Sequence, residues 1–276
     1  MPDDKRPRYA GPTITSVANE RIRFVRSLQR ATVRWKEGLF VVEGVRLVEE
    51  ALAAGQSPEL ALVVPEQLER TPRGQQLLRQ LRQFNCQPVT EAVLKALSDT
   101  VTPQGVIAVL RVPPPSTKPL TGPVILVLDR LRDPGNAGTI LRSADASGVV
   151  CTVAFIDSVD AYAPKVVRAA MGAHFRLNIL EDTDWDRLLP RLGDRTRWLA
   201  TAHQGTPYDQ IDWTRDCAII LGGEAEGAGP KAEAAASAAV TIPMAGSAES
   251  LNAAMAGTIL LFEVARVRRA QMGKKK

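Results

Sequence analysis

Apolar positions along the chain fall into two runs of short strands alternating with helices, parted by a proline-rich stretch. In the first run, residues 16–36 read as a helix, Leu39–Val42 as a strand and Gly44–Ala54 as a helix. Leu60–Val64 follows as a strand, Gln75–Phe84 as a helix, Val89 as the start of a short element, Glu91–Leu97 as a helix and Gly105–Arg111 as a strand. Such alternation suits a compact α/β unit of about 100 residues. VPPPSTKPLTGP, residues 112–123, holds five prolines and cannot sit inside a helix or a central strand, so it reads as a linker. The second run opens with Val124–Leu128, unbroken and apolar, as a strand buried on both faces of a parallel sheet should be. A helix from about Ala137, closed by Gly148, comes next. Further strands are predicted at Cys151–Ile156, Arg176–Leu180, Trp198–Thr201, Ala218–Leu221 and Val240–Ile242. Helices are predicted at Ala163–Met171, Trp185–Leu192 and Lys231–Ala236, with a long terminal one from near Leu251. The expected organisation is a tail over 1–13 without structure, an α/β domain over 14–111, the linker, and a mostly parallel, helix-covered α/β domain over 124–276. In such sheets ligands bind beyond the carboxyl ends of the strands, which directs attention to the loops after Leu128, Leu221 and Ile242.

Composition narrows the class. The chain has 276 residues, 45% hydrophobic and 24% charged, which excludes global disorder and a collagen-like repeat. No run approaches the roughly 20 apolar residues of a membrane span. MPDDKRPRYA has no apolar core after its charges, so it does not read as a secretory signal. Cys86, Cys151 and Cys217 lie far apart in apolar surroundings and read as buried free thiols of a reducing compartment, hence a cytoplasmic protein.

The formal charge of +5 is unevenly spread. Residues 1–40 hold nine Lys/Arg against four Asp/Glu, and residues 264–276 hold six Lys/Arg and no acid, so the body between them is acidic. Basic ends suit a polyanion, although they also suit a merely well-solvated surface. Arg21, Arg23, Arg26, Arg30 and Arg34 recur at helix-like spacing and could form a basic, polyanion-binding face.

Several chemistries find no support. His174 and His203 have no second His or Cys at ligand spacing, so no metal is expected. The chain contains no Gly-x-Ser-x-Gly elbow and no Gly-x4-Gly-Lys-Ser/Thr loop. LGGEAEGAG lacks the Gly-x-Gly-x-x-Gly spacing of a dinucleotide site.

Three segments share one pattern, an apolar strand leading through a Gly/Asn/Ser-rich loop into a helix. They are LDRLRDPGNAGTILRSADASGV (128–149), ILGGEAEGAGP (220–230) and IPMAGSAESLNAAMAGTILLFEVAR (242–266). Singly, each reads as a βα turn in which Asn136 and Ser250 suit helix caps. Together they resemble the three signature motifs of the SpoU/TrmH-type RNA 2′-O-ribose methyltransferases of the SPOUT superfamily. Asn136 and Arg142 match the family's Asn-x5-Arg motif. Gly222, Gly223, Glu224 and Gly227 match its Gly-Glu-Gly loop, and Ile242 to Asn252 match its Ile-Pro-Met-x-Gly-x3-Ser-Leu-Asn motif without a gap. KEGLFVVEGVRLVEEAL, residues 36–52, is similar to the opening of the family's L30-like substrate-binding domain.

The resemblance implies a C-terminal trefoil knot, a homodimer, and S-adenosylmethionine bound by the knot loops. It implies cofactor contacts at Gly222, Ile242 and Leu251, with Gly223, Met244 and Thr201 nearby. Arg142 is the implied catalytic residue. Two roles stay open for it, because a free guanidinium has a pKa above about 12: an activated proton acceptor for the ribose 2′-OH, or a group that orients phosphate and stabilises developing negative charge. Asn136 is expected to position Arg142, Glu224 to pin the second loop or meet RNA, and Ser250 and Asn252 to fix the third loop. Arg168 and His174 are further candidates for RNA contact. The implied substrate is a guanosine of large-subunit ribosomal RNA. A non-catalytic RNA-binding relative, or an enzyme acting on tRNA or on a base, are the competing classes. The joint presence of Asn136, Arg142, Glu224, Ser250 and Asn252 disfavours the first, and the Ser-Leu-Asn triplet beside the Arg142 motif disfavours base methylation.

Overall fold

The structure, a computed structural model, describes residues 11–114, 120–181, 183–224 and 226–273. The expected tail up to residue 10 and the middle of the proline-rich linker lie outside the described residues. The chain divides into two compact units, Met1–Pro113 with Tyr162–Pro164, and Pro114–Ala161 with Lys165–Lys276.

The first unit runs α1 (Glu20–Ser27), α2 (Ala31–Glu37), β1 (Leu39–Glu43), α3 (Val45–Ala53), β2 (Leu60–Val63), α4 (Pro65–Leu68), α5 (Pro72–Leu81), β3 (Cys86–Pro88), α6 (Glu91–Leu97) and β4 (Val106–Arg111). Its four strands lie in the order β1-β4-β2-β3, with β4 antiparallel to both neighbours and β3 parallel to β2. Ile22, Val25 and Leu28 of the α1 face pack with Leu62, Val93 and Leu94 into this unit's core. Pro12, expected within a free tail, is held instead: Gln87 donates to its carbonyl at 2.7 Å, and Ile14, the first residue of the expected domain, pairs with the β3 end.

The helix expected over 16–36 is two helices. Asn19 caps the first through its side chain, and the chain turns at Leu28–Arg30 before α2 begins. Arg34 explains the break. It is buried, and its Nη1 donates to the Leu28 and Gln29 carbonyls at 2.8 and 2.7 Å, which α1 leaves unsatisfied where it ends. Arg34 is therefore removed from the proposed RNA-binding face, while Arg21, Arg23, Arg26 and Arg30 are exposed. Arg21 and Arg26 are also tied down, to Gln87 and to the Ala96 carbonyl.

The second unit runs β5 (Val124–Asp129), α7 (Pro134–Ser147), β6 (Val150–Ile156), α8 (Pro164–Ala170), β7 (Asn178–Leu180), α9 (Trp185–Leu192), β8 (Thr196–Thr201), β9 (Thr206–Pro207), β10 (Cys217–Gly222), α10 (Pro230–Ala235), β11 (Ala238–Thr241) and α11 (Ala253–Gly273). Its seven strands form a parallel sheet in the order β7-β6-β5-β10-β8-β11-β9. All six residues of β5 are buried, as its unbroken apolar run requires. Ile125, Val127, Ala218 and Ile220 pack on one face against Trp185, Leu188 and Leu192 of α9 and Ala232 and Ala235 of α10. On the other face lie α7 and α11, bridged by a 2.7 Å hydrogen bond between the Ser143 and Thr258 hydroxyls. Register sets Asp129 beside Gly222 and Thr201 beside Thr241, so the carboxyl ends of β5, β10, β8 and β11 meet at one edge. The short edge strand β9 was not predicted, since two residues carry no period.

One cysteine departs from expectation. Cys86 and Cys217 are buried, and burial raises both thiols to about 11, which keeps them protonated. Cys151, the second residue of β6, is exposed.

Candidate active site

The three sequence motifs converge at the carboxyl edge of the seven-stranded sheet. Helix α7 begins earlier than expected. Asp133 caps it by accepting from the Asn136 amide at 2.7 Å, Pro134 occupies the first turn, and Gly148 closes it in a left-handed conformation with φ 68. Asn136 is therefore not a cap. It sits in the first turn with its side chain free to bridge, and it does so twice. Its Nδ2 donates to Glu224 Oε1 at 2.6 Å, and its Oδ1 accepts from Asn252 Nδ2 at 2.9 Å.

At the far end Asn252, not Ser250, caps α11. Its Oδ1 accepts from the Ala254 and Met255 amides at 2.8 and 3.3 Å. The polarity of the chain of bonds follows. The helix amides need an oxygen, which turns the Asn252 nitrogen towards Asn136, and that turns the Asn136 nitrogen towards the carboxylate. One line of hydrogen bonds thus joins the first, second and third motifs, with a helix N-terminus at one end and an anion at the other. The Arg132 amide lies 3.5 Å from Glu224 Oε2 and completes the carboxylate's surroundings.

The second loop is held tightly. The amide and carbonyl of Gly223 exchange 3.0 Å hydrogen bonds with those of Gly227. A Cβ on Gly222 would lie 2.3 Å from the Ala228 amide nitrogen, and one on Gly223 2.2 Å from the Arg130 carbonyl oxygen. Only glycine permits either approach.

Beside this junction lies a cavity of about 580 Å3. All six expected cofactor residues, Thr201, Gly222, Gly223, Ile242, Met244 and Leu251, line it, together with Glu224, Ser250 and Asn252. Sequence reasoning missed Leu199, Val240 and Leu260 as wall residues, which read only as core. The lining also carries Glu226 and Glu233 but no Lys or Arg among the described residues. Aliphatic walls, exposed backbone and an acidic balance suit a cationic nucleoside-type ligand and do not suit a polyphosphate, which needs donors and positive charge. Arg142 and Asn136 are not part of the lining. Arg142 is exposed on α7 and makes no hydrogen bond or ion pair among the described residues, so its guanidinium is available to a ligand.

The two further RNA candidates separate. Arg168 is half-buried at the end of α8. His174 is buried, its Nε2 lies 2.6 Å from the Ala161 carbonyl, and burial pushes its imidazole down to about 4, so it belongs to the core and not to an RNA surface. Because the folded imidazole resists protonation and the unfolded one accepts it near 6.5, its contribution to stability is present above about pH 6.5 and is lost as pH falls towards 4. The melting temperature should therefore drop by roughly 3 °C or more between pH 7 and pH 5. The variant His174→Gln should lose clearly less over that interval; equal losses in a thermal-shift series would show that His174 is not responsible.

Among the described residues no group of three or more His, Cys, Asp or Glu side chains is placed to hold a metal ion, and no helix is long and apolar enough to cross a membrane.

A parallel sheet whose carboxyl edge gathers three Gly/Asn loops around an acidic, phosphate-averse cavity defines a nucleoside-cofactor enzyme, and the chain belongs to the SpoU rRNA methylase family, whose model matches residues 123–262. An MRM3-like substrate binding domain matches residues 19–108. The chain is 32% identical to the Bacillus subtilis 23S rRNA (guanosine(2553)-2′-O)-methyltransferase RlmP, over 91% of this chain and 98% of that protein. Among solved structures, an RNA 2′-O ribose methyltransferase superimposes with a TM-score of 0.80 at 36% identity, covering 94% of this chain and all 100% of the other. An AdoMet-bound rRNA methyltransferase from Sinorhizobium meliloti superimposes with a TM-score of 0.79 at 29% identity, covering 92% and 97%. The protein is an RNA methyltransferase with a mixed α/β fold like these.

Proposed function

We propose that this enzyme methylates the ribose 2′-hydroxyl of a guanosine in large-subunit ribosomal RNA, using S-adenosylmethionine held in the cavity at the sheet edge. The observation that carries this reading is the hydrogen-bonded line Glu224–Asn136–Asn252, which fastens all three family motifs beside a cavity without basic residues. Guanosine is favoured by the full-length similarity to a guanosine-specific relative.

S-adenosylmethionine supplies an electrophilic methyl group on a sulfonium, so the protein needs no metal and no covalent nucleophile. Main chain at Gly222, Ile242 and Leu251 binds the adenosine part, and the aliphatic walls exclude water. Ser250, exposed at the cavity wall without a hydrogen bond among the described residues, orients the acceptor ribose. Arg142 engages the RNA phosphate and stabilises the 2′-oxygen as that oxygen takes the methyl group and gives up its proton to solvent. Asn136 holds the first turn of α7 and so fixes the helix from which Arg142 projects.

The domain of residues 14–111 grips RNA; of its candidate arginines, Arg23 and Arg30 are exposed and their side chains make no hydrogen bond or ion pair among the described residues. The active form is a homodimer of knotted domains; Met255 and Phe262, 61% and 41% exposed one above the other on α11, offer it an apolar stripe. The enzyme acts in the cytoplasm, as its bacterial full-length relative suggests.

Titration calorimetry with S-adenosylmethionine in the presence of EDTA tests the cofactor assignment. Saturable one-site binding that EDTA does not weaken is expected. Absence of heat with both the donor and its demethylated product would remove it.

A further inference from the structure

Two residues that none of the quoted signature positions includes, Asp129 and Arg130, stand at the carboxyl end of β5, and their side-chain bonds lead to the second loop or its support. Asp129 is buried and accepts from the Gly229 amide at 2.7 Å and from Trp185 Nε1 at 2.6 Å, so the end of the loop is fixed to the sheet and to α9 together. Arg130 follows in a left-handed conformation, φ 60, which an arginine adopts only where its surroundings impose it. That turn brings its carbonyl under Gly223, where a Cβ would sit 2.2 Å away, and its Cδ under Gly229, where a Cβ would sit 3.0 Å away. Its Nη2 is paired with the Glu226 carboxylate. Glu226 is itself a wall residue of the cavity. The loop is thus gripped at Gly223, Glu226 and Gly229 from one strand end, and of these grips only the ion pair is open to solvent, with side-chain exposures of 30% for Arg130 and 68% for Glu226.

We propose that the Arg130–Glu226 ion pair is a positioning latch that holds the second loop in its cofactor-receiving form, with Asp129 as the fixed base of that loop. The inference rests on the cavity being the S-adenosylmethionine site. Arg130 touches neither donor nor RNA; it acts through Glu226. The latch therefore sets affinity for the donor and leaves the rate at saturation alone. It also answers a question of charge. The cavity wall bears the carboxylates of Glu224, Glu226 and Glu233, and Arg130 neutralises one of them from outside the wall.

Charge exchange decides between this role and direct contact of Glu226 with the ligand. Arg130→Glu and Glu226→Arg should each weaken S-adenosylmethionine binding by roughly three- to ten-fold in calorimetry, in the range that breaking and reversing an exposed ion pair commands. In Arg130→Glu, whose side chain is not part of the cavity wall, the KM for the donor should rise to match, with kcat nearly unchanged. The double variant should return to within about two-fold of the native affinity. Should a reversal variant fail to fold, Arg130→Gln and Glu226→Gln remove the charges at nearly constant size and should weaken binding by a smaller, equal factor. Native affinity in Arg130→Glu or Arg130→Gln would overturn the latch. So would a double variant as weak as Glu226→Arg alone, the outcome if Glu226 met the ligand directly, or melting temperatures that fall while affinity stays native. A native protein that binds no S-adenosylmethionine would instead remove the proposed function, and the latch with it.

Discussion

Replacing Arg142 by alanine is expected to lower methyl transfer by about a hundred- to a thousand-fold or more while leaving S-adenosylmethionine affinity within two-fold of native. The size follows from removing a charged donor aimed at developing negative charge. The separation of effects follows from position. Arg142 is exposed on α7, its side chain makes no hydrogen bond or ion pair among the described residues, and it is absent from the cavity wall, so its loss disturbs neither the fold nor the donor site. Arg142→Lys should fail nearly as badly, since an ammonium cannot reproduce the planar, two-pronged contact of a guanidinium with phosphate. Single-turnover rates beside calorimetric affinities make the distinction. A lysine variant with near-native turnover, or an alanine variant that loses donor binding, would contradict the assignment.

Asn136 is expected to show the second large effect, and there the direction of change with pH is informative. Asn136→Ala removes a hydrogen bond to the Glu224 carboxylate and leaves the Asn252 amide without its acceptor. A bond to a charged group is worth about 1.5–3 kcal/mol, so a loss of roughly ten- to a hundred-fold in kcat/KM is expected. Asn136→Asp should be worse at neutral pH, because it sets a second carboxylate against Glu224. Two carboxyls at that distance can share one proton, which restores the bond as the pH falls. Activity of Asn136→Asp relative to native should therefore climb between pH 8 and pH 6, while Asn136→Ala stays flat. Parallel profiles for the two variants would show that the bond to Glu224 does not organise the site.

The α/β alternation, most strand positions and the motif residues of the cavity wall were legible in the sequence, and the reasons differ. β5 and β10 are buried on both faces, so their apolar runs announce themselves. The wall was found through motif resemblance, since nothing in the periodicity of Ile242 or Leu251 separates a cofactor contact from core packing. Caps were misread, at Asn136 and at Ser250, because several residues near each helix start are good caps and only the backbone chooses between them. Arg34 was assigned to a basic face because its spacing fits one; burial against the carbonyls of a neighbouring turn has no one-dimensional signature. His174 failed likewise, being polar by type but sealed in the core. Asp129 and Arg130 were in view, inside the first motif segment, yet their partners lie about a hundred residues away at Glu226 and Gly229. Contacts of that range are written in the topology of the sheet, where β10 inserts beside β5.

Ribose methylation of ribosomal RNA can be read directly. A ribose that carries a 2′-O-methyl group resists alkaline cleavage, so mapping protected positions in total RNA, with and without the gene, reports the target nucleotide. Loss of protection at one guanosine of large-subunit ribosomal RNA, restored by the native gene and not by the Arg142→Ala variant, is the expected result. A map unchanged at every position by deletion, or restored equally by Arg142→Ala, would contradict it.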